Sequence, residues 1–370
     1  MSEFTDKSGV FTEIVLMKSS LKKTSPKTFN YDISKKRFRF SDWFAEKFIK
    51  SIAFLSIAFV ILIFVFVFRE AFPVFRMDVK ETVTAEPMVQ ERYGVDDKSA
   101  AAEPEKSKET SPAKKVSVPS STLLSKDWMP VSDNPRYGLI PLFLGTFKVT
   151  IIALLFAAPI AILAAIYTAM FAKPRLREII KPVIELLAGF PSVVIGFFAL
   201  MVMATVLQEI FGYASRLNSF VGGIAMALAA IPIIYTLTED SLTAIPKTYI
   251  EASLGLGASM RQTAFYVVLP AAVPGIFAAV LLGVGRIFGE TMIALMATGN
   301  AALVNINPFD SVRTLSATIG AEMAEVVFGD THYSVLFLIG SLLFIFTFFL
   351  NAVAEFYLKN VVIRRFQSKK

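Results

Sequence analysis

Six long apolar runs alternate with polar stretches along the chain. The runs occupy approximately residues 49–68, 142–171, 186–211, 220–237, 272–298 and 334–355. A helix needs about 20 mostly apolar residues to cross the hydrocarbon core of a bilayer, and each run is close to or above that length. The pattern therefore predicts an all-α polytopic membrane protein with six transmembrane helices.

The polar stretches set the predicted boundaries of the regions. Residues 1–48 form a basic tail, 69–137 a long loop, 138–358 a core with five of the six spans, and 359–370 a second basic tail. The centre of the long loop reads SAAAEPEKSKETSPAKKVSVPSS. Such a composition buries too little apolar surface to offset the entropy lost on ordering, so part of this loop is predicted to be disordered.

Basic residues predict the orientation of the spans. Loops on the cytoplasmic side carry an excess of Lys and Arg. The basic segments here are the two tails and the KPRLR loop after the second span. Six spans put all three segments on the same side. Both termini are therefore expected in the cytoplasm, with the loop 69–137 outside and the segment 239–270 inside.

Composition supports a membrane protein and excludes several kinds of chemistry. Of 370 residues, 55% are hydrophobic, and the mean hydropathy is +0.60. The net charge of +7 is interpreted as a topology signal instead of a nucleic-acid signal, because basic residues mark the cytoplasmic loops of a membrane protein. The chain has no cysteine and one histidine, His332, which excludes disulfides, thiol nucleophiles, His-based metal sites and Ser-His-Asp triads.

A polar segment, EASLGLGASMRQTAFYVVLP at 251–270, lies between the fourth and fifth apolar runs. Its first part, as far as Ala258, has residue types that suit a helix. Small residues such as Gly257 leave a low surface, and Glu251 and Arg261 offer charged edges. Two interpretations stay open: a helix on which another protein docks, or an ordinary amphipathic connector.

The same segment resembles the EAA loop of ABC-importer permeases. The matching positions are Glu251, Ala252, Ser253, Gly257, Val267, Leu269 and Pro270. Ser stands where that loop usually has a second Ala, and Val where it usually has Ile. The resemblance implies a coupling helix that fits a groove on a separate ATPase subunit. ATP and magnesium are therefore expected on that partner, with no cofactor in this chain.

No GxxxxGK[ST] phosphate-binding loop occurs in the sequence, which agrees with ATP hydrolysis by another subunit. The nearest glycine pattern, GVGRIFG at 283–289, lies inside the fifth apolar run. Its Gly285 and Gly289 have the GxxxG spacing and are interpreted as small residues that pack helices together. The pattern therefore predicts a close helix contact instead of a nucleotide site.

Two ionisable residues, Arg286 and Glu290, lie within the fifth apolar run. Because they are four positions apart, they are predicted to share a helix face and to pair. A charge at the centre of a span costs roughly 2.5–3.5 kcal/mol on insertion scales and usually faces a bundle interior or a water-filled path. One interpretation is a structural ion pair that joins helices. The other is an anion path in which Arg286 attracts an oxyanion, Glu290 holds or screens Arg286, and Thr291 adds a hydroxyl.

The stretch GRIFGETMIALMATGN at 285–300, together with GFPSVVIG at 189–196 and the last apolar run, resembles PstC-type permeases of phosphate importers. The likeness covers about residues 138–366. It implies a MetI-like core of five helices in a bacterial inner membrane, with Arg286 and Glu290 on the phosphate path. It also implies a heterodimer with a PstA-type permease, PstB-type ATPase subunits and a PstS-type periplasmic binding protein.

Import of inorganic phosphate by ATP-driven alternating access is the expected function, and two alternatives stay open. Permeases for sulfate, molybdate or tungstate share the architecture, so the oxyanion is not fixed by the sequence. A membrane scaffold or sensor without transport is the second alternative, and the intact EAA-like loop and Arg286–Glu290 pair weigh against it. An enzyme is not expected, since no nucleophile–base arrangement occurs.

Other polar residues receive a structural interpretation. Lys148 is expected to reach the membrane interface from the outer part of the second span, with contact to an entering anion as the alternative. Glu239 and Asp240 are interpreted as solvated ends of the fourth span, and His332 as a surface residue. The Phe-rich first and last spans are expected to face lipid.

Overall fold

The structure, a computed structural model, describes residues 40–76, 123–132 and 134–357. The chain divides into two units, Met1–Ile61 and Leu62–Lys370. Of the first unit, the structure describes residues 40–61, which are helical. The basic tails and the centre of the long loop lie outside the described residues, so the expectations for them stay predictions.

Within the described residues, six helices are long and apolar enough to cross a membrane. They are Trp43–Phe75, Ile140–Phe171, Ser192–Phe211, Ser219–Thr243, Met260–Phe288 and Thr331–Phe356. The predicted all-α polytopic fold is thereby confirmed. The fifth span differs most from its prediction, because it begins and ends earlier than the expected 272–298.

The described elements follow one another as helices with one small strand pair. The helices are α1 Phe40–Ala71, α2 Ile140–Ile166, α3 Pro174–Gly189, α4 Ser192–Phe198, α5 Ala204–Phe211, α6 Ser219–Thr243, α7 Lys247–Gly255, α8 Met260–Thr263, α9 Leu269–Phe288, α10 Met292–Ala297, α11 Leu315–Glu322 and α12 Thr331–Tyr357. A 3-10 turn follows α1 at Phe72–Arg76, and π-helical turns follow α2, α4 and α8 at Tyr167–Phe171, Ala199–Met203 and Ala264–Val268. The strands β1 Trp128–Met129 and β2 Arg136–Tyr137 pair antiparallel.

Small residues form the extensive contact between α2 and α6. Helix α2 carries a row of fully buried alanines at four-residue spacing, which are Ala153, Ala157, Ala161 and Ala165. A Cβ atom added at Gly223 of α6 would lie 2.5 Å from Cγ2 of Ile152. Helix backbones approach closely where side chains are small, and this is how helices gain packing contacts inside a membrane.

The predicted helix-packing role is wrong for Gly289, whereas Gly285 faces the last span at ordinary contact distance. A Cβ at Gly285 would lie 3.4 Å from Oδ1 of Asn351, which is an ordinary contact, and Gly289 lies just past the end of α9. Gly283 makes the close contact instead, because a Cβ there would lie 2.6 Å from Cγ1 of Ile234. The spacing of glycines alone does not reveal which of them faces a neighbouring helix.

A second buried cluster joins the strand pair to the ends of several helices. Its members include Trp128, Tyr137, Leu142, Phe288, Leu315 and Leu336. Trp128 lies opposite Tyr137 in the strand pair, with their rings edge to face and 5.9 Å apart. Helix α2 begins three residues after β2, so this contact anchors the end of the long loop to the core.

Phenylalanines of the first and last spans pack on one another within the Leu62–Lys370 unit. The rings of Phe64 and Phe344 are 5.1 Å apart, and those of Phe66 and Phe337 are 5.8 Å apart. Others on the last span, such as Phe348, are exposed. The expectation that these spans face lipid is therefore correct for only some of their phenylalanines.

Candidate functional site

The fifth apolar run, 272–298, is divided between two helices where its two charged residues lie. Helix α9 ends at Phe288, Gly289 follows with φ −90° and ψ 1°, and α10 begins at Met292. Glu290 therefore lies in the break, and the prediction that it shares a helix face with Arg286 is wrong. Glycine is a poor helix former, so its position after Phe288 favours ending the helix there.

Arg286 and Glu290 nevertheless meet across the end of the helix. Nη1 of Arg286 lies 3.6 Å from Oε2 of Glu290. The Arg286 side chain is 51% exposed, whereas the Glu290 side chain is 5% exposed. The guanidinium therefore keeps N–H donors open to a ligand, while the carboxylate is enclosed by protein.

Hydrogen bonds fix the peptide groups around Glu290. Its N–H donates to the Ile287 carbonyl at 3.1 Å, and Oγ of Ser316 donates to the Glu290 carbonyl at 2.7 Å. Ser316 belongs to α11, so this helix braces the break. The Thr291 hydroxyl makes only a long contact of 3.5 Å with the Gly289 carbonyl. Arg286 thus lies in the last turn of α9, and Glu290 and Thr291 lie in the braced break that follows it.

The predicted docking segment folds as two helices joined by a turn. Helix α7 carries Glu251 and Ala252, and the chain then turns at Gly257, whose φ of +88° lies in the left-handed region that favours glycine. The expectation of a helix that continues past Gly257 is wrong, because this conformation ends it. Leu269 and Pro270 lie beyond the turn, at the start of α9.

Polar contacts hold this turn in place. The hydroxyls of Ser253 and Thr263 are 2.9 Å apart and link α7 to α8. Ser259 and Gln262 form a capping box at the start of α8. Helix α7 has no buried residue, and Leu256 just after it is 89% exposed. An exposed helix on a braced turn with an exposed leucine suits docking by another protein.

The interpretation of Glu239 as a solvated end of the fourth span is wrong. Its side chain is 4% exposed and accepts a hydrogen bond of 2.9 Å from Nζ of Lys181 in α3. This hydrogen bond raises the pKa of Lys181 above its ordinary value, against the smaller opposing effect of burial. Asp240, in contrast, is exposed.

Helix α3 is absent from the predicted elements, although it positions Lys181. Ile180 and Ile184 pack against the core. Arg177 donates to the carbonyls of Thr168 and Ala169 at 2.8 and 2.7 Å, which ties α3 to the end of the second span. The available signal was the helical spacing of apolar residues within 174–189, between charged positions.

Glu322 is the centre of a part-buried polar cluster that the sequence did not indicate. Its carboxylate accepts a hydrogen bond from Nε1 of Trp128 at 3.0 Å, and it pairs with Arg313 and His332, each at 2.8 Å. Burial alone would raise the pKa of Glu322, but these three partners hold it below its ordinary value. His332 is 9% exposed, so its interpretation as a surface residue is wrong.

Lys148 lies on α2 and contacts the segment that precedes α11. Its Nζ donates to the Asn305 carbonyl at 3.2 Å. With Ile306 and Pro308 it lines a mostly apolar cavity of about 740 Å³. Lys148 therefore has a protein partner, and its contact with an entering anion stays a prediction.

Comparison with known proteins gives one matching family and several similar relatives. Residues 157–363 match the family model described as binding-protein-dependent transport system inner membrane component. A probable ABC transporter permease protein, YqgH of Bacillus subtilis (strain 168), is 34% identical over 226 residues, which are 61% of this chain and 73% of that protein. The phosphate transport system permease protein PstC of Mesorhizobium japonicum is 32% identical over 263 residues, covering 66% of this chain and 80% of that protein.

Among solved structures, the inward-facing MetNI methionine ABC transporter is similar to this chain. The sequence identity is 20% and the TM-score 0.45. The match covers 60% of this chain and 94% of the other.

Proposed function

Since the chain belongs to the family of binding-protein-dependent transport system inner membrane components, we propose that it is the permease subunit of an ABC importer for inorganic phosphate. Membership of the family makes the chain a MetI-type permease of an ABC importer. The choice of phosphate is supported by the likeness to PstC of Mesorhizobium japonicum. It is supported independently by the arginine and glutamate side chains, Arg286 and Glu290, that lie next to each other at the end of the fifth span.

The observation that carries the proposal is the braced break after α9, where Glu290 lies next to Arg286 of the last helical turn. An arginine fork donates paired hydrogen bonds that match two oxygens of a tetrahedral oxyanion. Half of the Arg286 side chain is exposed, so these donors are accessible.

In the proposed mechanism, ATP binding and hydrolysis on separate subunits shift the membrane part between two conformations. Helix α7 with Glu251 transmits the movement of the ATPase subunits to the membrane helices. The turn at Gly257 fixes the direction of α7 relative to α8. A PstS-type protein delivers phosphate at the outer face, and PstB-type subunits hold ATP and magnesium. A PstA-type permease completes a heterodimer. Both termini lie in the cytoplasm, and this chain makes or breaks no covalent bond.

Uptake of radiolabelled phosphate tests the proposal. The cells lack their own importer and carry this chain with its partner subunits. Wild type is expected to accumulate phosphate. Arg286→Gln is expected to abolish uptake without loss of assembly, because an amide lacks both the charge and the fork. Arg216→Gln removes an exposed arginine outside the break and is expected to keep uptake.

The other outcomes of this experiment separate the alternatives. Uptake of sulfate, molybdate or tungstate without phosphate would keep the permease and reject the substrate. Absence of uptake of every oxyanion would favour a scaffold or sensor. In Glu251→Ala, loss of phosphate-stimulated ATP hydrolysis with the complex intact is the expected sign that α7 couples the two subunits.

A further inference from the structure

Glu290 differs from two other mostly enclosed glutamates in lacking a close donor. Glu239 accepts a hydrogen bond of 2.9 Å from Lys181, and Glu322 has three partners within 3.0 Å. Glu290 has Arg286 at 3.6 Å, and no hydrogen bond reaches its carboxylate within the residues that the structure describes. The carboxylate is mostly enclosed but its oxygens are not among the fully buried atoms without a partner, so a ligand can reach it. A mostly enclosed carboxylate gains from a further donor, and a ligand that brings one would therefore bind favourably here.

This unfilled acceptor is held at a fixed position. The peptide groups of Glu290 are bonded on both sides, to Ile287 and to Ser316. The half-exposed guanidinium of Arg286 lies next to the carboxylate. One ligand can therefore meet N–H donors on Arg286 and an acceptor on Glu290 at the same time.

Oxyanions of similar size and charge differ in what they offer to such an acceptor. An ionised carboxylate only accepts hydrogen bonds. Hydrogen phosphate carries a P–O–H group that donates one, whereas sulfate at neutral pH presents oxygen lone pairs alone. Phosphate therefore makes a hydrogen bond to Glu290, while sulfate meets repulsion between like charges.

We propose that Glu290 selects oxyanions that carry a hydroxyl, such as phosphate and arsenate, over those that carry none, such as sulfate. This inference rests on the proposed phosphate path and gives Glu290 a task beyond orienting Arg286. The proton stays on the anion, so the step is recognition without proton transfer. A site that hydrogen-bonds a hydroxyl rejects analogues that lack it more strongly than a site that reads size alone.

The test uses the purified complex of this chain with its partner subunits, without the binding protein, so that only the membrane part discriminates. The chain has no cysteine, so Gly289→Cys, at an exposed position next to Glu290, gives this subunit a single reporter that reacts with a neutral maleimide. Phosphate, arsenate, sulfate and fluorophosphate are compared in mildly alkaline buffer at equal ionic strength, where all four are mainly dianions. In fluorophosphate, a fluorine replaces the hydroxyl.

Phosphate and arsenate are expected to slow labelling at about tenfold lower concentration than sulfate and fluorophosphate, because a hydrogen bond to a charged group contributes about that factor or more. In Glu290→Gln, the concentrations at which the four anions slow labelling are expected to lie within about twofold of one another. An amide both donates and accepts hydrogen bonds, so it does not distinguish these anions. Glu290→Asp keeps the carboxylate and is expected to keep the order of the anions. Glu325→Gln removes an exposed carboxylate outside the break and is expected to keep the full preference.

Three results would overturn the inference. They are equal protection by sulfate and phosphate with Glu290 intact, a preference that survives in Glu290→Gln, and absence of protection by all four anions. Thermal unfolding of the complex with each anion, compared between wild type and Glu290→Gln, repeats the comparison without the reporter cysteine. Phosphate uptake in cells decides the proposed function separately. If wild type takes up phosphate but Glu290→Gln leaves the order of the anions unchanged, this inference is rejected and the proposed function is kept.

Discussion

At the scale of single residues, the two members of the ion pair between Lys181 and Glu239 differ in their exposure to solvent. The Glu239 side chain is 4% exposed and the Lys181 side chain 39%. Lys181→Met would leave a buried charge without its partner, which costs roughly 1–3 kcal/mol or more. In Glu239→Gln, the ammonium group of Lys181 loses its partner but can be hydrated, because the Lys181 side chain is partly exposed. We therefore expect Lys181→Met to lower the thermal unfolding temperature of the complex more than Glu239→Gln does.

The double variant Lys181→Met with Glu239→Gln is the control for this prediction. It removes both charges, so its unfolding temperature is expected to lie above that of Lys181→Met alone. Equal losses in the two single variants would mean that burial of Glu239 does not govern the pair.

The Glu322 cluster predicts a dependence of stability on pH. Burial raises the pKa of Glu322, but its partners His332, Trp128 and Arg313 outweigh it, so the pKa lies below the ordinary value of 4.5. A carboxyl whose pKa is lowered by folding stabilises the fold above its unfolded value, and this contribution is lost as pH falls through the folded pKa. We expect the unfolding temperature of wild type to fall more steeply than that of Glu322→Gln on acidification below 4.5.

Thermal unfolding of the two proteins across a pH series checks this prediction. Other carboxylates titrate in both proteins, so the difference between the two curves reports Glu322 together with its pairs to Arg313 and His332. Parallel curves would show that Glu322 keeps the same pKa when the protein unfolds.

The sequence reveals charges inside an apolar run and hides those at its ends. Arg286 and Glu290 were recognisable because ionisable residues within a run are expensive. Glu239 and His332 lie at the ends of runs, where exposure is the ordinary outcome. Lys181, which pairs with Glu239, lies 58 positions away in the chain, and nothing local to Glu239 indicates this partner.

At the scale of elements, the turn after α7 depends on one backbone conformation. Gly257 has φ +88°, and a Cβ atom added there would have no neighbouring atom within 4 Å, so the cost of a side chain is a backbone cost. That cost is roughly 1–2 kcal/mol for an L-residue in the left-handed region. We expect Gly257→Ala to lower phosphate uptake, and the amount of ATPase subunit that copurifies, by about fivefold or more.

Gly255 provides the matched control for this prediction. It is the last residue of α7 and also has open space around it, but its φ is not positive. Because alanine favours a helix over glycine by up to about 1 kcal/mol, Gly255→Ala is expected to keep both uptake and copurification. Equal losses at the two positions would reject the role of the left-handed turn.

Hydropathy found the helices but not their interruption. The break at Gly289 to Thr291 is three residues long and has apolar residues on both sides, so averaging over a span conceals it. The hydrogen bond from Ser316 of α11 to the Glu290 carbonyl supports the break from a distant part of the chain. That contact joins positions 26 apart and has no local signature in the sequence.

At the scale of the whole molecule, the six spans predict which exposed positions lie on the same side of the membrane. Val131, Ile306 and Leu256 are 91%, 95% and 89% exposed. Four spans separate Val131 from Ile306, and three separate Val131 from Leu256. A membrane-impermeant maleimide is expected to label Val131→Cys and Ile306→Cys in intact spheroplasts, and Leu256→Cys only after permeabilisation.

Inside-out vesicles are the control for this prediction, since the pattern of labelling is expected to reverse there. The chain has no cysteine of its own, so each variant reports one position. Labelling of Leu256→Cys together with Val131→Cys in intact spheroplasts would contradict both the span count and the predicted orientation.

The small residues between α2 and α6 determine which changes of sequence the protein can tolerate. Hydropathy treats Ala157 and Ile151 as similar apolar positions, but Ala157 is fully buried and Ile151 is 63% exposed. Natural selection acts on volume at the first position and only on apolar character at the second. A missense change from alanine to valine at Ala157 would therefore be harmful, while many apolar replacements of Ile151 would persist as neutral variation.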